Sequence, residues 1–180
     1  MPTRTAAALR RRGIPFDLLK FEAEELTAAE AAERLGLRPD QVFKTLVVRA
    51  DDGRVVLACV PGDRDLDLRA LARVVMARRM EMVAVGELMR LVGYLKGAVS
   101  PIGTRRAYPV YLDDSARRHE RLSVSAGVRG LQLWIAPDDL IRASGATMVA
   151  LTEGSGGGGF IESQESGSRL DPGAVSEGGG

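Results

Sequence analysis

Lysine is rare in this chain, and one of the three lysines occupies an unusual position. The 25 basic residues are 22 arginines together with Lys20, Lys44 and Lys96. Lys44 stands near the start of the apolar run 42–48, where a charge is costly to bury unless an anionic or carbonyl-like group meets it. Its compact ammonium could donate to a substrate carbonyl or phosphate; the alternative is an edge-strand lysine whose tip reaches water. The residue alone leaves both interpretations open.

Two stretches rich in small residues could form a ligand-binding backbone. Residues 93–103 read GYLKGAVSPIG, and residues 123–130 read SVSAGVRG. A backbone of this composition can approach a ligand closely, and its N–H groups could hold a developing oxyanion without any side chain. An ordinary turn is the alternative for each stretch.

The usual catalytic groups of a hydrolase are not apparent in the sequence. Cys59 lies in the apolar run RVVLACV, which favours a buried core thiol over a reactive thiolate. His119 follows two arginines and is interpreted as a surface-loop residue rather than a catalytic base. One cysteine and one histidine cannot build an intramolecular disulfide or a Cys/His zinc cluster. We therefore expect no cofactor, and chemistry that does not rest on a standard side-chain nucleophile.

The composition divides the chain into two unequal parts. The last 27 residues contain 10 of the 21 glycines, four acids and one base, so we predict a disordered Gly/Ser-rich acidic tail or linker at 154–180. Residues 1–153 form the predicted domain, with 24 bases and 20 acids. No apolar stretch approaches the roughly 20 residues of a membrane span, and the first residues do not resemble a signal peptide. These features predict a cytoplasmic protein.

Arginines recur in pairs or short runs at 10–12, 78–79, 105–106 and 117–118. With the net positive charge of residues 1–153, they could form a surface that tracks phosphates. Scattered solvated arginines would give the same pattern. Aromatic residues make up only 4% of the chain, which argues against extended stacking on nucleic-acid bases.

The elements that must position these residues alternate irregularly between helix and strand. A capping box opens the helix that starts at Thr27, and Asp51-Asp52-Gly53 predicts a tight hairpin turn. Predicted helices cover 3–12, 27–35 and 68–76, with one more from Pro137; predicted strands cover 15–21, 43–50, 54–60, 80–83, 95–99, 108–112, 121–125, 131–135 and 147–151. We therefore expect an α+β fold, a mixed curved sheet with peripheral helices.

The motifs occur together in one known family. They are LGL at 35–37, PDQVFKTL at 39–46, GYL at 93–95, GAVSPIG at 97–103 and VSAGVRGL at 124–131. Across essentially all of residues 1–153 the chain resembles the YbaK/EbsC family of trans-editing aminoacyl-tRNA deacylases, which are related to the editing domain of bacterial prolyl-tRNA synthetases. No single motif would suffice, but their combination is specific.

The resemblance implies a hydrolase with an editing-domain-like fold that removes a wrong small amino acid, cysteine or alanine, from mischarged tRNA(Pro). The implied partners are that tRNA and prolyl-tRNA synthetase, and we expect a monomer that needs no cofactor. A cysteinyl substrate would supply the attacking thiol itself, which accounts for the missing nucleophile. Such intramolecular attack gains roughly 7–11 kcal/mol when the geometry is right.

The resemblance also assigns residues to the site. Lys44 matches the essential polar residue of the family, and the Gly-x-x-x-Pro loop at 97–101 wraps the aminoacyl group. The predicted catalytic groups are Lys44, which would anchor the ester or terminal ribose, and the backbone N–H groups of Gly97 and Ala98, which would stabilise the oxyanion. The predicted substrate-binding residues of the same pocket are Phe21, Thr45, Val99, Ser100, Pro101, Ser125 and Gln132.

Four positions depart from the pattern of cysteine-specific members. Phe21 stands in place of Tyr, Gln132 in place of Asp, and Ala98 and Ala126 in place of the second glycine of Gly-Gly pairs. Each change removes polarity or space, so the preference for cysteine is weakened while the expectation of a deacylase stands. The alternatives are a non-catalytic adaptor of the same fold that binds tRNA or a synthetase, and a small-molecule binding domain.

Overall fold

The computed structural model describes residues 3–22 and 26–153; the predicted tail at 154–180 lies outside the described residues. The helices are α1 (Arg4–Arg11), α2 (Ala28–Leu35), α3 (Leu68–Val75), α4 (Leu88–Leu91) and α5 (Pro137–Ser144). The capping box predicted for α2 is present, since Thr27 accepts from the Glu30 N–H and Glu30 accepts from the Thr27 N–H. No helix in the described ranges is both long and apolar enough to cross a membrane.

In the described ranges, eight strands form two sheets. They are β1 (Asp17–Lys20), β2 (Phe43–Ala50), β3 (Val55–Pro61), β4 (Met80–Met82), β5 (Val110–Asp113), β6 (Leu122–Ser125), β7 (Leu131–Ile135) and β8 (Thr147–Val149). The small sheet is antiparallel, in the order β1-β7-β6, and the large sheet is mixed, in the order β4-β2-β3-β5-β8. A single bridge between Val42 and Ser123 joins the two.

This architecture confirms the predicted α+β class and the hairpin of β2 and β3. Two details differ from the prediction, because the strands divide into two sheets and residues 95–99 do not form a strand. The Ala98 N–H donates to the Leu95 carbonyl at 3.0 Å and Gly97 has a φ of +82°, so the chain turns there. Tertiary packing also adds the short helix α4, which the sequence pattern did not predict.

The large sheet has an apolar cluster on each face. Because side chains alternate along β2, Phe43 and Val47 enter the larger cluster while Val48 enters the cluster that contains Leu71 of α3. β2 is paired with β3 along its length, but its other edge pairs with β4 only at Val48–Ala50. Among the described residues, no strand of the large sheet pairs with the first half of β2 on that side; we call this part its free edge, and it borders the candidate site.

Candidate active site

A cavity of about 300 Å³ runs along the free edge of β2. Its volume lies at the lower end of the range for small-molecule sites. Contributions come from α2 and the segment before it, from β2, from the segment 82–88, from the loop 96–99 and from the β6–β7 end of the small sheet. The lining residues are Phe21, Leu26, Thr27, Ala28, Ala31, Val42, Phe43, Lys44, Thr45, Leu46, Val47, Met82, Val83, Val85, Leu88, Lys96, Gly97, Val99, Ser125, Gly130 and Gln132.

Most of the predicted site residues therefore surround one cavity. Seven of them line it, namely Phe21, Lys44, Thr45, Gly97, Val99, Ser125 and Gln132. These residues come from β2, from the loop that follows α4, from β6 and β7, and from the end of β1. The fold thus brings together positions that are separated by more than 100 residues in the sequence.

Lys44 and Thr45 are consecutive in β2 and project to opposite sides of the strand. Both nevertheless line the cavity, which reaches side chains on both sides of the strand at the part of the β2 edge that β4 does not pair with. The Lys44 ammonium is partly buried and lies 3.8 Å from Oδ1 of Asp65, a residue of the turn that follows β3. Asp65 is fully exposed, so this ion pair is weak and a ligand oxygen could replace it.

Two buried polar residues of the small sheet present hydrogen-bond donors to the cavity. Ser123 Oγ donates to Gln132 Oε1 at 3.0 Å, which leaves the Gln132 amide N–H groups as the end that can meet a ligand. Ser125 Oγ accepts from the Gly127 N–H at 3.1 Å, so its own hydrogen remains available for donation. With the ammonium of Lys44, the site is complementary to a ligand rich in carbonyl and hydroxyl oxygens.

The loop 93–103 is held in place by Tyr94. Its hydroxyl donates to the Ile102 carbonyl at 2.6 Å and lies 3.0 Å from Thr5 Oγ1, so α1 and both ends of the loop are tied together. A Cβ at Gly127 would lie only 2.8 Å from the Tyr94 ring, which explains a glycine at that position. The Gly-Tyr-Leu motif thus supports the wall of the cavity.

Not every residue of this loop lines the cavity. Ala98, Ser100 and Pro101 are buried and are not among the lining residues. The Ala98 N–H is engaged with the Leu95 carbonyl, so the predicted oxyanion donation by this group is wrong for the observed conformation. Gly97 keeps its place in the lining, and its positive φ of +82° favours glycine there.

The two conventional candidates for nucleophile and base lie in the core. Cys59 is buried behind Thr45, 3.6 Å from its Oγ1, and burial raises the pKa of the thiol to about 12. The prediction of an unreactive core thiol is confirmed. The prediction of a surface position for His119 is wrong, since its ring packs edge-on against Phe43 and only 8% of the residue is exposed.

Metal ligation finds no support in the described ranges. No three His, Cys, Asp or Glu side chains there come close enough to hold an ion.

Several lining residues were not predicted from the sequence. Lys96 is a second lysine at the cavity. Because lysine is rare in the chain, its residue type could have indicated this position. The apolar wall formed by Val83, Leu88 and the first turn of α2 carried no such signal, because apolar residues at these spacings are equally typical of core.

Known proteins share sequence and fold with this chain. The model of the family described as "Aminoacyl-tRNA editing domain" matches residues 22–143. A protein of Enterococcus faecalis named "Putative Cys-tRNA(Pro)/Cys-tRNA(Cys) deacylase EbsC" is 32% identical over 152 residues, which cover 83% of this chain and 93% of that protein. The proline–tRNA ligase of Shouchella clausii is 32% identical over 107 residues, which cover 59% of this chain and 19% of the ligase.

A solved structure shows the same fold. The structure described as "Crystal structure of a putative trans-editing enzyme for prolyl tRNA synthetase" superposes with a TM-score of 0.77 at 29% identity, covering 84% of this chain and 96% of that one. The expected fold and family are thus confirmed. The chain belongs to the aminoacyl-tRNA editing domain family.

Proposed function

We propose that the protein is a trans-editing deacylase that hydrolyses the ester of a small amino acid wrongly attached to tRNA(Pro). The enzyme class, aminoacyl-tRNA deacylase, follows from the family and from the deacylase name of the Enterococcus relative. One observation carries the finer proposal: a lysine ammonium and two oriented donors, Ser125 and Gln132, surround a small cavity whose described lining contains no cysteine or histidine.

Lys44 is the proposed anchor of the substrate. Its ammonium exchanges the weak contact with Asp65 for an oxygen of the ester or of the terminal ribose. A charge-assisted hydrogen bond of this kind is worth about 1.5–3 kcal/mol. The N–H group of Gly97 and the donors of Ser125 and Gln132 are then placed to meet the remaining substrate oxygens.

The attacking group is proposed to come from the substrate when the amino acid is cysteine. The thiol sulfur bonds to the ester carbonyl carbon, the bond from that carbon to the terminal ribose oxygen breaks, and the thiol proton ends on that oxygen. An alanyl ester has no such group, so water must attack instead. Cys59 does not supply the nucleophile, since its thiol stays protonated until pH is about 12.

The proposed setting is the cytoplasm, where the domain formed by residues 1–153 meets mischarged tRNA(Pro). Prolyl-tRNA synthetase is the proposed second partner, and the free protein is proposed to be a monomer. The similarity to the Shouchella proline–tRNA ligase supports the link to this tRNA, because editing in cis and editing in trans would then act on one substrate.

A panel of aminoacylated tRNAs tests the proposal. We expect wild-type protein to release cysteine or alanine from tRNA(Pro) at least tenfold faster than proline from the same tRNA. Ser-tRNA(Pro) is the matched control for the thiol mechanism, because it replaces sulfur by a poorer nucleophile at the same position. Hydrolysis of all members of the panel at the uncatalysed rate would contradict the proposal.

A further inference from the structure

Two arginines meet beside Gly93, outside the cavity. Arg4 Nη2 donates to the Gly93 carbonyl at 2.7 Å, and its guanidinium lies 4.9 Å from the centroid of the Tyr94 ring. The side chain of Arg105 lies against the same glycine. A Cβ added at Gly93 would lie 2.6 Å from Arg4 Nη2 and 2.9 Å from Arg105 Cγ. The two cationic groups are therefore neighbours, and only a glycine leaves room for both.

Neither charge is compensated by the described part of the protein. Some arginines elsewhere on the surface have acidic partners, as in the pairs Arg38–Asp40 and Arg54–Asp52. Arg4 and Arg105 are both exposed, and no carboxylate of residues 3–22 or 26–153 forms an ion pair with either. Like charges held side by side repel each other, and an anion between them removes the repulsion.

The arginine pair lies close to the cavity. Gly93 is three residues from Lys96, which lines the cavity, and three extended residues span at most about 11 Å. The Tyr94 ring beneath Arg4 also holds the cavity wall in place. A nucleic-acid strand whose last residue occupies the cavity would bring its preceding phosphates to this pair.

We propose that Arg4 and Arg105 form a phosphate-binding site for the single-stranded 3′ end of the RNA substrate. This site rests on the proposed function, since it places the ester in the cavity and the backbone phosphates beside Gly93. Guanidinium groups bind phosphate oxygens through paired N–H donors, and such contacts position a strand without reading its sequence. The pair therefore selects for a polynucleotide ester over a small ester.

The first test measures binding of an RNA hairpin that carries no amino acid and has a single-stranded 3′ end, between about 50 and 200 mM salt. We expect Arg105→Gln to weaken binding about tenfold at low salt and to make the slope of log K against log salt less negative by about 0.7, the value for one phosphate of a single strand. Arg105→Lys should recover most of the affinity. Arg73→Gln, which removes the same charge from α3 on the other face of the large sheet, should leave the slope unchanged.

The second test compares two esters of one amino acid, an aminoacyl hairpin and an aminoacyl-adenosine that lacks the backbone phosphates. We expect Arg105→Gln to raise KM for the hairpin about tenfold and to leave aminoacyl-adenosine hydrolysis within twofold. An equal loss on both esters, or an unchanged salt slope, would overturn the proposal. Binding of inorganic phosphate that Arg105→Gln abolishes while the RNA slope persists would also overturn it, in favour of a free-anion site.

The two proposals fail in different ways. The salt dependence is measured with RNA that carries no amino acid, so it tests the phosphate site even if wild-type protein hydrolyses no ester. If no aminoacyl substrate is turned over but the salt slope is less steep in Arg105→Gln, the proposed deacylase activity is contradicted and the phosphate site is supported.

Discussion

The two halves of β2 show how one strand serves both stability and function. At Val48–Ala50 the strand lies between β3 and β4, and Val48 and Ala50 enter a closely packed cluster. At residues 43–46 the described strands of the large sheet pair with it on the β3 side alone, and a cavity of about 300 Å³ lies along the other edge. Because β4 does not extend along the first half of β2, the residues there face a ligand-sized space instead of a neighbouring strand.

This difference explains why a lysine is tolerated in an apolar strand. In the second half of β2 the side chains of Val48 and Ala50 lie in the apolar cluster that contains Leu71 of α3, and a charge there would be costly without a partner. In the first half Lys44 reaches the cavity and the exposed Asp65. Substitutions in the second half should therefore affect stability, and substitutions in the first half should affect activity.

The largest expected effect is on stability, for Leu71→Ala. Leu71 is completely buried in the cluster shared by α3 and the second half of β2. Removal of this side chain should lower the free energy of unfolding by about 2–5 kcal/mol, which urea titration measures. The kcat/KM of the protein that remains folded should stay within about twofold of wild type. A parallel loss of activity would contradict the claim that the second half of β2 serves stability rather than activity.

Thr45→Val should have the opposite profile. The change removes a hydroxyl from the cavity, where its one described partner is the weakly bonding Cys59 sulfur at 3.6 Å. Loss of one neutral hydrogen bond to substrate, about 0.5–1.5 kcal/mol, predicts a two- to tenfold lower kcat/KM. Thr147→Val at the exposed start of β8 is the matched control. Equal activity of the two variants would show that the Thr45 hydroxyl does not bind the substrate.

The smallest effect concerns the ion pair that links the second half of β2 to the segment 82–88 of the cavity wall. Arg49 donates to both carboxylate oxygens of Glu87 at 2.9 and 3.2 Å, beside the cavity residues Val85 and Leu88. Hydrogen bonds from Arg49 hold the pKa of Glu87 below its usual 4.5. The pair therefore stabilises the fold above that value, and the contribution is lost as pH falls through the lowered pKa.

Thermal unfolding of Glu87→Gln at several pH values tests this linkage. At pH 7 the variant should have nearly the wild-type Tm, because a half-exposed pair contributes little. As pH falls below 4.5 and through the lowered pKa of Glu87, the Tm of wild type should fall more steeply than that of the variant. Parallel curves over this range would show that the carboxylate does not couple the cavity segment to β2.

Local signals in the sequence predicted much of the fold. The Thr27–Glu30 capping box and the Asp51–Gly53 turn act over a few residues, and both are present in the structure. Two other predictions were wrong. Residues 95–99 have the composition of a strand but turn at Gly97, and His119 has charged neighbours in sequence but packs against Phe43 in the core.

The candidate site was predictable to the extent that it depends on recognisable motifs. Lys44, Thr45, Gly97, Ser125 and Gln132 belong to segments that resemble one family, and they surround one cavity. The free edge of β2 was not predictable, since it depends on where β4 stops. The engaged N–H of Ala98 was also beyond the sequence, because a hydrogen bond within a turn depends on backbone geometry that composition does not specify.

The central claim is that the ammonium of Lys44 binds the substrate in the cavity. The direct measurement is kcat/KM of Lys44→Ala on the best aminoacyl-tRNA of the panel, beside Lys20→Ala, which removes an exposed lysine from β1. Loss of a charge-assisted hydrogen bond of up to about 3 kcal/mol predicts roughly a hundredfold decrease for Lys44→Ala and none for the control. Activity of Lys44→Ala within about threefold of wild type would contradict the account.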